Sequence, residues 1–387
     1  MNPLILKIKN KVPAGLGTIL LLFIATRLVL TMIGVASHVL LDPFHGHEYV
    51  WHYSQHLWLN LWAVWDSGWY LDIAQNGYSL TLASDLPKNV DPGQVNCGFF
   101  PLYPMLIAAL GRVSGHYLVA GLIVSNVSLL CSAWYLYKMV ALDFPRQDAL
   151  RTVKYLFFFP TAFILSGVFS ESLFLLLSIL AFYFLRKKQW AFAGCAGLLL
   201  GLSRPTAVFV FPVMCLAYFW EKGYKFKNVG WDALCLAGIP AGYGLFSLFG
   251  YFLTGDPFYY TTLKQAAWGS YWANPLFLLA HCLVTNQIVP LVNGWAVAAG
   301  VLIIALAYKK AGMIYALLGF CLLILPLTAG AMVLPGMMRY MASVFPLFIA
   351  SALLARNQTV DTALTVLFCI FQGFLMVFWC NGFSIIV

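Results

Sequence analysis

Apolar runs of membrane-spanning length recur along this chain, separated by short clusters of Lys and Arg. Leu16–Ala36 is the first, interrupted only by Arg27; Leu118–Leu142, Trp231–Leu253, Ile288–Tyr308 and Thr362–Trp379 are of the same kind. A run of about 20 apolar residues matches the hydrocarbon thickness of a bilayer. In that solvent a backbone must satisfy its own polar groups, which leaves helices or closed barrels. Barrel strands alternate over about ten residues, whereas these runs are continuous. The pattern predicts an all-α polytopic membrane protein. Composition agrees: 62% of the 387 residues are hydrophobic and 9% are charged, against about a quarter charged in soluble domains.

The net charge of +9 reads as orientation. Lys7, Lys9 and Lys11 precede the first run; later clusters are Arg146, Arg151 and Lys154, then Arg186, Lys187 and Lys188, then Lys222, Lys225 and Lys227, then Lys309 and Lys310, and Arg356. Positive charge marks the cytoplasmic side. No basic patch of nucleic-acid type is present, and no nucleic-acid partner is expected. With Phe99–Leu110 taken as a half-inserted or surface helix, every cluster falls inside. The spans are then 16–36, 118–142, 155–165, 173–185, 190–202, 207–220, 231–253, 288–308, 313–329, 340–354 and 362–379. That is about eleven, with the N-terminus inside and the C-terminus outside, forming one integral-membrane domain over 1–387. Two long outer segments result, 41–98 and 254–287. Pro160, Pro212 and Pro326 predict kinked helices packed on protein. Met1–Lys11 is too polar for a signal peptide's apolar core, so the first run is expected to remain as an anchor. The nine Cys are scattered without a CxxC and read as buried apolar residues.

Charges at the outer ends of the spans are the candidates for chemistry: Asp42, Glu48, Asp66, Asp72, Asp85, Asp91, Arg112, Glu171, Arg204, Asp256, Lys264 and Arg339. Ionisable groups at such depth line cavities or pair with one another. Val64–Tyr78, VWDSGWYLDIAQNGY, carries two of the acids. Trp58, Trp62, Trp65 and Trp69 recur at helical spacing and predict an amphipathic helix lying in the headgroup plane, with Asp66 on its shoulder. Asp66 is either a base for an acceptor hydroxyl, or it caps a helix or pairs with an Arg. Asp72 is off that face and reads as a structural partner or a second-tier site residue. Glu171 opens a helix after a tight turn, where the dipole favours a carboxylate. Arg204 and Arg339 suit phosphate, or else snorkel to headgroups. His45, His47, His52 and His56, with Glu48, leave a divalent metal open, His52 and His56 sharing a face if helical; no known ligand spacing is matched. His38, His116 and His281 are isolated.

The ordered blocks resemble a family. Val64–Tyr78 is similar to the Trp-Asp…Ile-Ala-x-x-Gly-Tyr signature of the PIG-V-like mannosyltransferases, members of the GT-C superfamily. Gly98–Ile107 (GFFPLYPMLI), Phe159–Leu173 (FPTAFILSGVFSESL), Leu202–Thr206 (LSRPT), Thr254–Gly269 (TGDPFYYTTLKQAAWG) and Met338–Pro346 (MRYMASVFP) resemble later blocks in the same order. Val64 stands where the family often has Arg, and the last block lacks the more usual Pro-Arg pair. The resemblance implies a GT-C-like fold with amphipathic juxtamembrane helices in the first outer loop. It implies an inverting transfer of a sugar, mannose above all, from a polyprenyl- or dolichyl-phosphate donor to a hydroxyl of a glycolipid or glycan. No cofactor beyond that lipid-linked co-substrate is implied. Mapped on this chain, Asp66 is the catalytic carboxylate and Arg339, then Arg204, the donor-phosphate ligands. Trp65, Trp69, Tyr70, Asp72, Tyr103, Glu171, Lys264, Gln265 and Trp268 bind substrate or support the site. The location implied is a bacterial or archaeal plasma membrane with the site facing outward, or the endoplasmic reticulum in a eukaryote. The competing classes are a flippase or transporter of a lipid-linked saccharide, and a non-catalytic subunit of the same fold.

Overall fold

The computed structural model describes residues 15–41, 52–80 and 94–385. Among them the regular elements are all helical. In chain order they are α1 (Leu16–Leu41), a single turn at Leu57–Asn60, α2 (Ser67–Asn76), α3 (Leu102–Ser114), α4 (Tyr117–Val140), α5 (Arg146–Phe158) and α6 (Glu171–Arg186). Then follow α7 (Trp190–Gly201), α8 (Ala207–Glu221), α9 (Gly238–Thr254), α10 (Tyr259–Trp268), α11 (Pro275–Cys282) and α12 (Ile288–Ala311). The chain closes with α13 (Met313–Ile324), α14 (Met337–Met341), α15 (Phe345–Leu354) and α16 (Gln358–Cys380).

Among the described residues five helices are long and apolar enough to cross a membrane: α1, α4, α9 with its 3-10 lead-in from Trp231, α12 and α16. The pair Ala331–Met341 and Phe345–Leu354, bent by 54°, makes six if it is one span. Four shorter apolar helices, Leu102–Ser114, Trp190–Gly201, Ala207–Glu221 and Met313–Ala329, lie where the hydropathy placed a surface helix and three further spans. The expected span 155–165 is split. α5 stops at Phe158, before Pro160, and a 3-10 turn, Ala162–Ser166, follows. Proline disfavours the helical region for the residue before it.

Charge fixes the ends of α6. Glu171 opens it and Arg186 closes it, so that carboxylate and that basic cluster sit at opposite ends of one helix. Arg186 is held there by Asp143 at 2.7 Å and Glu221 at 2.8 Å. A cavity of about 420 Å³ adjoins this end and is lined by Asp143, Arg186, Lys309 and Lys310. The length of α6 separates it from Glu171. In α1 the buried Arg27 donates from Nη1 to Ser166 Oγ (2.9 Å) and to the Ala162 carbonyl (3.3 Å). These bonds tie the first span to the turn that precedes Glu171.

Helices α7 and α9 touch through small residues. A Cβ on Gly242 would overlap the Leu198 carbonyl oxygen, and one on Gly201 would overlap that of Ile239. Without a hydrophobic drive between apolar helices, such close backbone approach is how they associate. The contact fixes the C-terminal end of α7, from which Ser203 and Arg204 emerge.

The Trp-faced surface helix does not form. Trp65 has φ +58°, a conformation costly for a bulky side chain, and this divides the stretch into the turn at Leu57–Asn60 and α2. The four Trp therefore face different surroundings. Trp58 is exposed, Trp62 is buried against Trp379 at 6.2 Å, and Trp69 stacks on Phe99 at 5.6 Å. His52 and His56 precede the turn and share no helix face. Among the described residues no three His, Cys, Asp or Glu side chains come together as a metal would require; His45, His47 and Glu48 lie outside those residues, as do Asp42, Asp85 and Asp91.

Candidate active site

α2, the Gly98–Phe100 turn, the break Ser203–Thr206 between α7 and α8, helix α10 and the segment 326–340 enclose a cavity of about 730 Å³. Ligand pockets span about 300–1,000 Å³. The predicted residues Asp66, Trp69, Tyr70, Arg204, Lys264, Gln265, Trp268 and Arg339 all line it. Trp65, Asp72, Tyr103 and Glu171 are not on its wall.

Asp66 stands immediately before α2. Its Oδ2 accepts from Arg339 Nη1 at 2.6 Å. Among the described residues no hydrogen bond reaches Oδ1, and the carboxylate keeps about a quarter of its side-chain surface open. It does not cap α2, since its side chain accepts no backbone N–H there. The backbone before it is fixed by Trp65, whose indole N–H donates to the Trp379 carbonyl at 3.2 Å. That bond and the burial of Trp62 and Val64 hold the left-handed turn which aims Asp66 inward.

Glu171 is fully buried behind the two arginines. Its Oε1 lies 2.5 Å from Arg204 Nη1 and 3.1 Å from Arg339 Nε. Neither approach has hydrogen-bond angles, so these are charge contacts between packed groups. Two carboxylates, Asp66 and Glu171, thus meet two guanidiniums. Both arginines are less than a tenth exposed, which rules out snorkelling to headgroups. Their apolar faces are covered: Arg204 lies 4.9 Å from the Tyr340 ring, and Arg339 lies 5.5 Å from Tyr340 and 5.4 Å from Phe169. A buried ion pair is costly to break, because the remaining charge is left without a partner.

Ser170 joins this network to the aromatic wall. Its Oγ lies 2.9 Å from Tyr70 Oη and takes a donation from Arg204 Nη1 at 3.3 Å. Burial, then the Glu171 charge, pushes the Tyr70 phenol well up, so it remains a protonated partner. Tyr103 stands behind Tyr70, ring edge to face at 5.1 Å, with Oη 2.6 Å from Ser125 Oγ. It packs the wall and does not reach the cavity. Asp72 accepts from Asn76 at 2.8 Å and from Asn96 at 2.7 Å, and Asn96 also donates to the Gly77 carbonyl. It braces the exit of α2, as a structural partner would.

Lys264 of α10 lines the same cavity as Asp66. Its ammonium lies 3.9 Å from the Trp268 ring centre, 5.2 Å from Phe99 and 6.0 Å from Tyr260. Burial, partly offset by the Asp66 charge and reinforced by Arg339, pushes this amine down to about 8. Trp268 in turn meets Gly98, where a Cβ would sit 2.7 Å from the indole. Asp256 stands apart, capping the start of α10 by accepting from Phe258 N and Thr262 Oγ1.

Ser170, Tyr340, Phe99 and Tyr260 are site residues that the sequence did not single out. All four lie inside the quoted blocks, Ser170 and Phe99 next to Glu171 and Gly98. Tyr340 adjoins Arg339, but no pattern marks an aromatic that will cover two distant arginines.

The sequence matches no protein-family model and no curated protein. Among solved structures, the chain is similar to the oligosaccharyltransferase of Archaeoglobus fulgidus. For the complex with zinc and sulfate the identity is 12% and the TM-score 0.41, covering 94% of this chain and 53% of that one. For the same organism's enzyme, AglB, bound to an inhibitory peptide and a dolichol-phosphate, the values are 12%, 0.43, 94% and 56%. The chain thus spans about half the length of those proteins.

Proposed function

We propose that this chain is an inverting glycosyltransferase that uses a polyprenyl- or dolichyl-phosphate sugar, mannose in the first instance. The acceptor is a hydroxyl of a glycolipid or glycan, and the cavity opens on the outer or lumenal membrane face. One observation carries the reading. Asp66 stands on the wall of a roomy cavity with one carboxylate oxygen fixed by Arg339 at 2.6 Å and the other unengaged by the described residues.

That arrangement suits a general base. The free oxygen can accept the acceptor's hydroxyl proton while Arg339 holds the carboxylate in place. The acceptor oxygen then bonds to the sugar's anomeric carbon as the bond from that carbon to the phosphate oxygen breaks. The electron pair leaves with the lipid phosphate, which gains a negative charge, and the configuration inverts because attack and departure lie on opposite faces. Cations near the departing phosphate favour that step. The aromatic walls, Trp69, Phe99 and Trp268, offer apolar surface to a sugar ring and the start of a prenyl chain. The ordered sequence blocks, from Val64–Tyr78 to Met338–Pro346, support the same class.

Membranes carrying the chain, incubated with radiolabelled polyprenyl-phosphate mannose, are expected to move label to a lipid or glycan acceptor. Asp66→Asn is expected to stop this while the protein stays inserted with an unchanged melting temperature. Transfer at the normal rate by Asp66→Asn would remove Asp66 as the base.

A further inference from the structure

The charges around the cavity do not cancel, and the excess sits on one residue. Asp66 and Glu171 contribute two negative charges; Arg339 and Arg204 contribute two positive ones, in contact with them at 2.5 to 3.1 Å. Lys264 is the fifth. Among the described residues no carboxylate lies within ion-pair distance of it. Its surroundings are ring faces: Trp268, Phe99 and Tyr260. Ring quadrupoles attract an ammonium but replace little of its lost hydration. An ammonium has three donors, and this one lines the same cavity of about 730 Å³ as Asp66. The protein thus supplies a half-buried cation flanked by ring faces, with no carboxylate in ion-pair contact among the described residues, in the same cavity as the carboxylate that would do the chemistry. The arginines differ in this respect, since each already serves a carboxylate.

Resting on the reading of a lipid-phosphate donor, we propose that Lys264 is the residue that recognises the donor phosphate, and that Arg339 and Arg204 are positioning residues that hold Asp66 and Glu171. On arrival, a phosphodiester brings the single negative charge that Lys264 lacks. On transfer, the departing phosphate gains a second, and the ammonium, a mobile point charge on a flexible stem, can follow it. The enclosing rings make the interaction strong by excluding water.

The test measures binding without turnover. Purified chain in detergent is titrated with polyprenyl phosphate, with the matching polyprenol, with phosphatidylglycerol and with inorganic phosphate. Wild type, Lys264→Met and Lys264→Arg are compared, each first checked for an unchanged melting temperature. The expected result is a loss of about tenfold or more in polyprenyl-phosphate affinity for Lys264→Met, with most of it restored by Lys264→Arg. Polyprenol affinity is expected to stay level, because a loss there would mean that the wall has collapsed. Unchanged polyprenyl-phosphate binding by Lys264→Met, in a chain whose wild type transfers sugar, overturns the Lys264 assignment and leaves the proposed function standing. An equal loss towards phosphatidylglycerol overturns it in favour of bulk lipid, and towards inorganic phosphate in favour of a free anion. A wild type that neither binds polyprenyl phosphate nor transfers sugar overturns both.

Discussion

Arg339 and Asp66 stand 273 positions apart, and Arg339 Nη1 meets Asp66 Oδ2 at 2.6 Å. The same guanidinium turns Nε to Glu171 at 3.1 Å. One planar fork therefore serves two carboxylates from two different parts of the chain, one through Nη1 and the other through Nε.

Removing that fork is expected to damage the fold as well as the site. Arg339→Ala leaves Asp66 without its cation and Glu171, fully buried, with only Arg204. Breaking one side of a buried pair costs about 3–5 kcal/mol. A large fall in melting temperature in detergent is expected. Adding Glu171→Gln, which removes the stranded charge, should recover part of it. If Arg339→Ala melts like wild type, the network carries no structural weight and its contacts are incidental.

The opposite behaviour is expected for Asp66→Asn. The amide can still accept from Arg339, and the site keeps its shape while losing the proposed base. Transfer should fall by about two to four orders of magnitude, the usual scale for general base catalysis. Donor binding should change by less than a few-fold. Substrate titrations that separate kcat from KM check this: a loss confined to KM would give Asp66 a binding role.

Gly98 tests the aromatic box from behind. A methyl group there would lie 2.7 Å from the Trp268 indole, so Gly98→Ala must displace the ring on which Lys264 sits. Weaker donor binding is expected, with little loss of fold, since the ring borders open space. Lys264 and Trp268 belong to one helix, and Trp268→Ala should weaken donor binding in the same direction. Intrinsic fluorescence of Trp268, isolated by difference from Trp268→Phe, should report the displacement. A Gly98→Ala variant with wild-type fluorescence and affinity would show that the contact is slack.

The apolar helices were legible because hydropathy along a continuous helix is a local property, but of about eleven expected spans five, or six with the bent pair, are long enough to cross a membrane among the described residues. Trp190–Leu202 and Ile288–Tyr308 agree with α7 and α12 to within a few residues. The charged ends were legible for the same reason: Glu171, Arg204 and Arg339 interrupt apolar runs, and the fold brings them together. What spacing alone could not give is partnership. Nothing local says that Arg339 meets Asp66 while Lys264 meets only rings, because those neighbours are set by how distant helices pack. The Trp stripe misled for a related reason. Helical spacing at Trp58, Trp62, Trp65 and Trp69 presumes one helix, and tertiary packing around Trp62 and Trp379 holds Trp65 in a left-handed turn instead.

Gly242 offers a test of the scaffold that spares the cavity lining. A side chain at this position in α9 would overlap the Leu198 carbonyl oxygen in α7. Backbone cannot yield as a flexible side chain does, so Gly242→Val is expected to separate the two helices. A lower melting temperature should accompany loss of transfer, because Arg204 leaves the end of α7. Gly244, two residues on, meets nothing within 4 Å and makes the control: Gly244→Val should be near neutral. Equal effects from the two would locate the damage in α9 itself and not in the α7–α9 contact.

Donor use should also depend on pH, with a sign set by Lys264. The groups that act on this amine are Asp66 and Arg339 in the same cavity and, on its own helix, Tyr260 and Trp268, with Phe99 beside it. Burial lowers the amine from 10.5 to about 8 in the folded chain. Between about 8 and 10.5 the unfolded chain therefore binds the proton that the folded chain has released, and this group's contribution to stability rises with pH across that window. Phosphate recognition needs the charged form, so it moves the other way: kcat/KM for the donor should fall as pH rises through about 8. A bound phosphate holds the proton in place, so kcat should change at a higher pH than kcat/KM. Lys264→Arg, which stays charged throughout, should flatten the kcat/KM profile over the same range. A profile that keeps its fall near pH 8 in Lys264→Arg would assign the titration to another group.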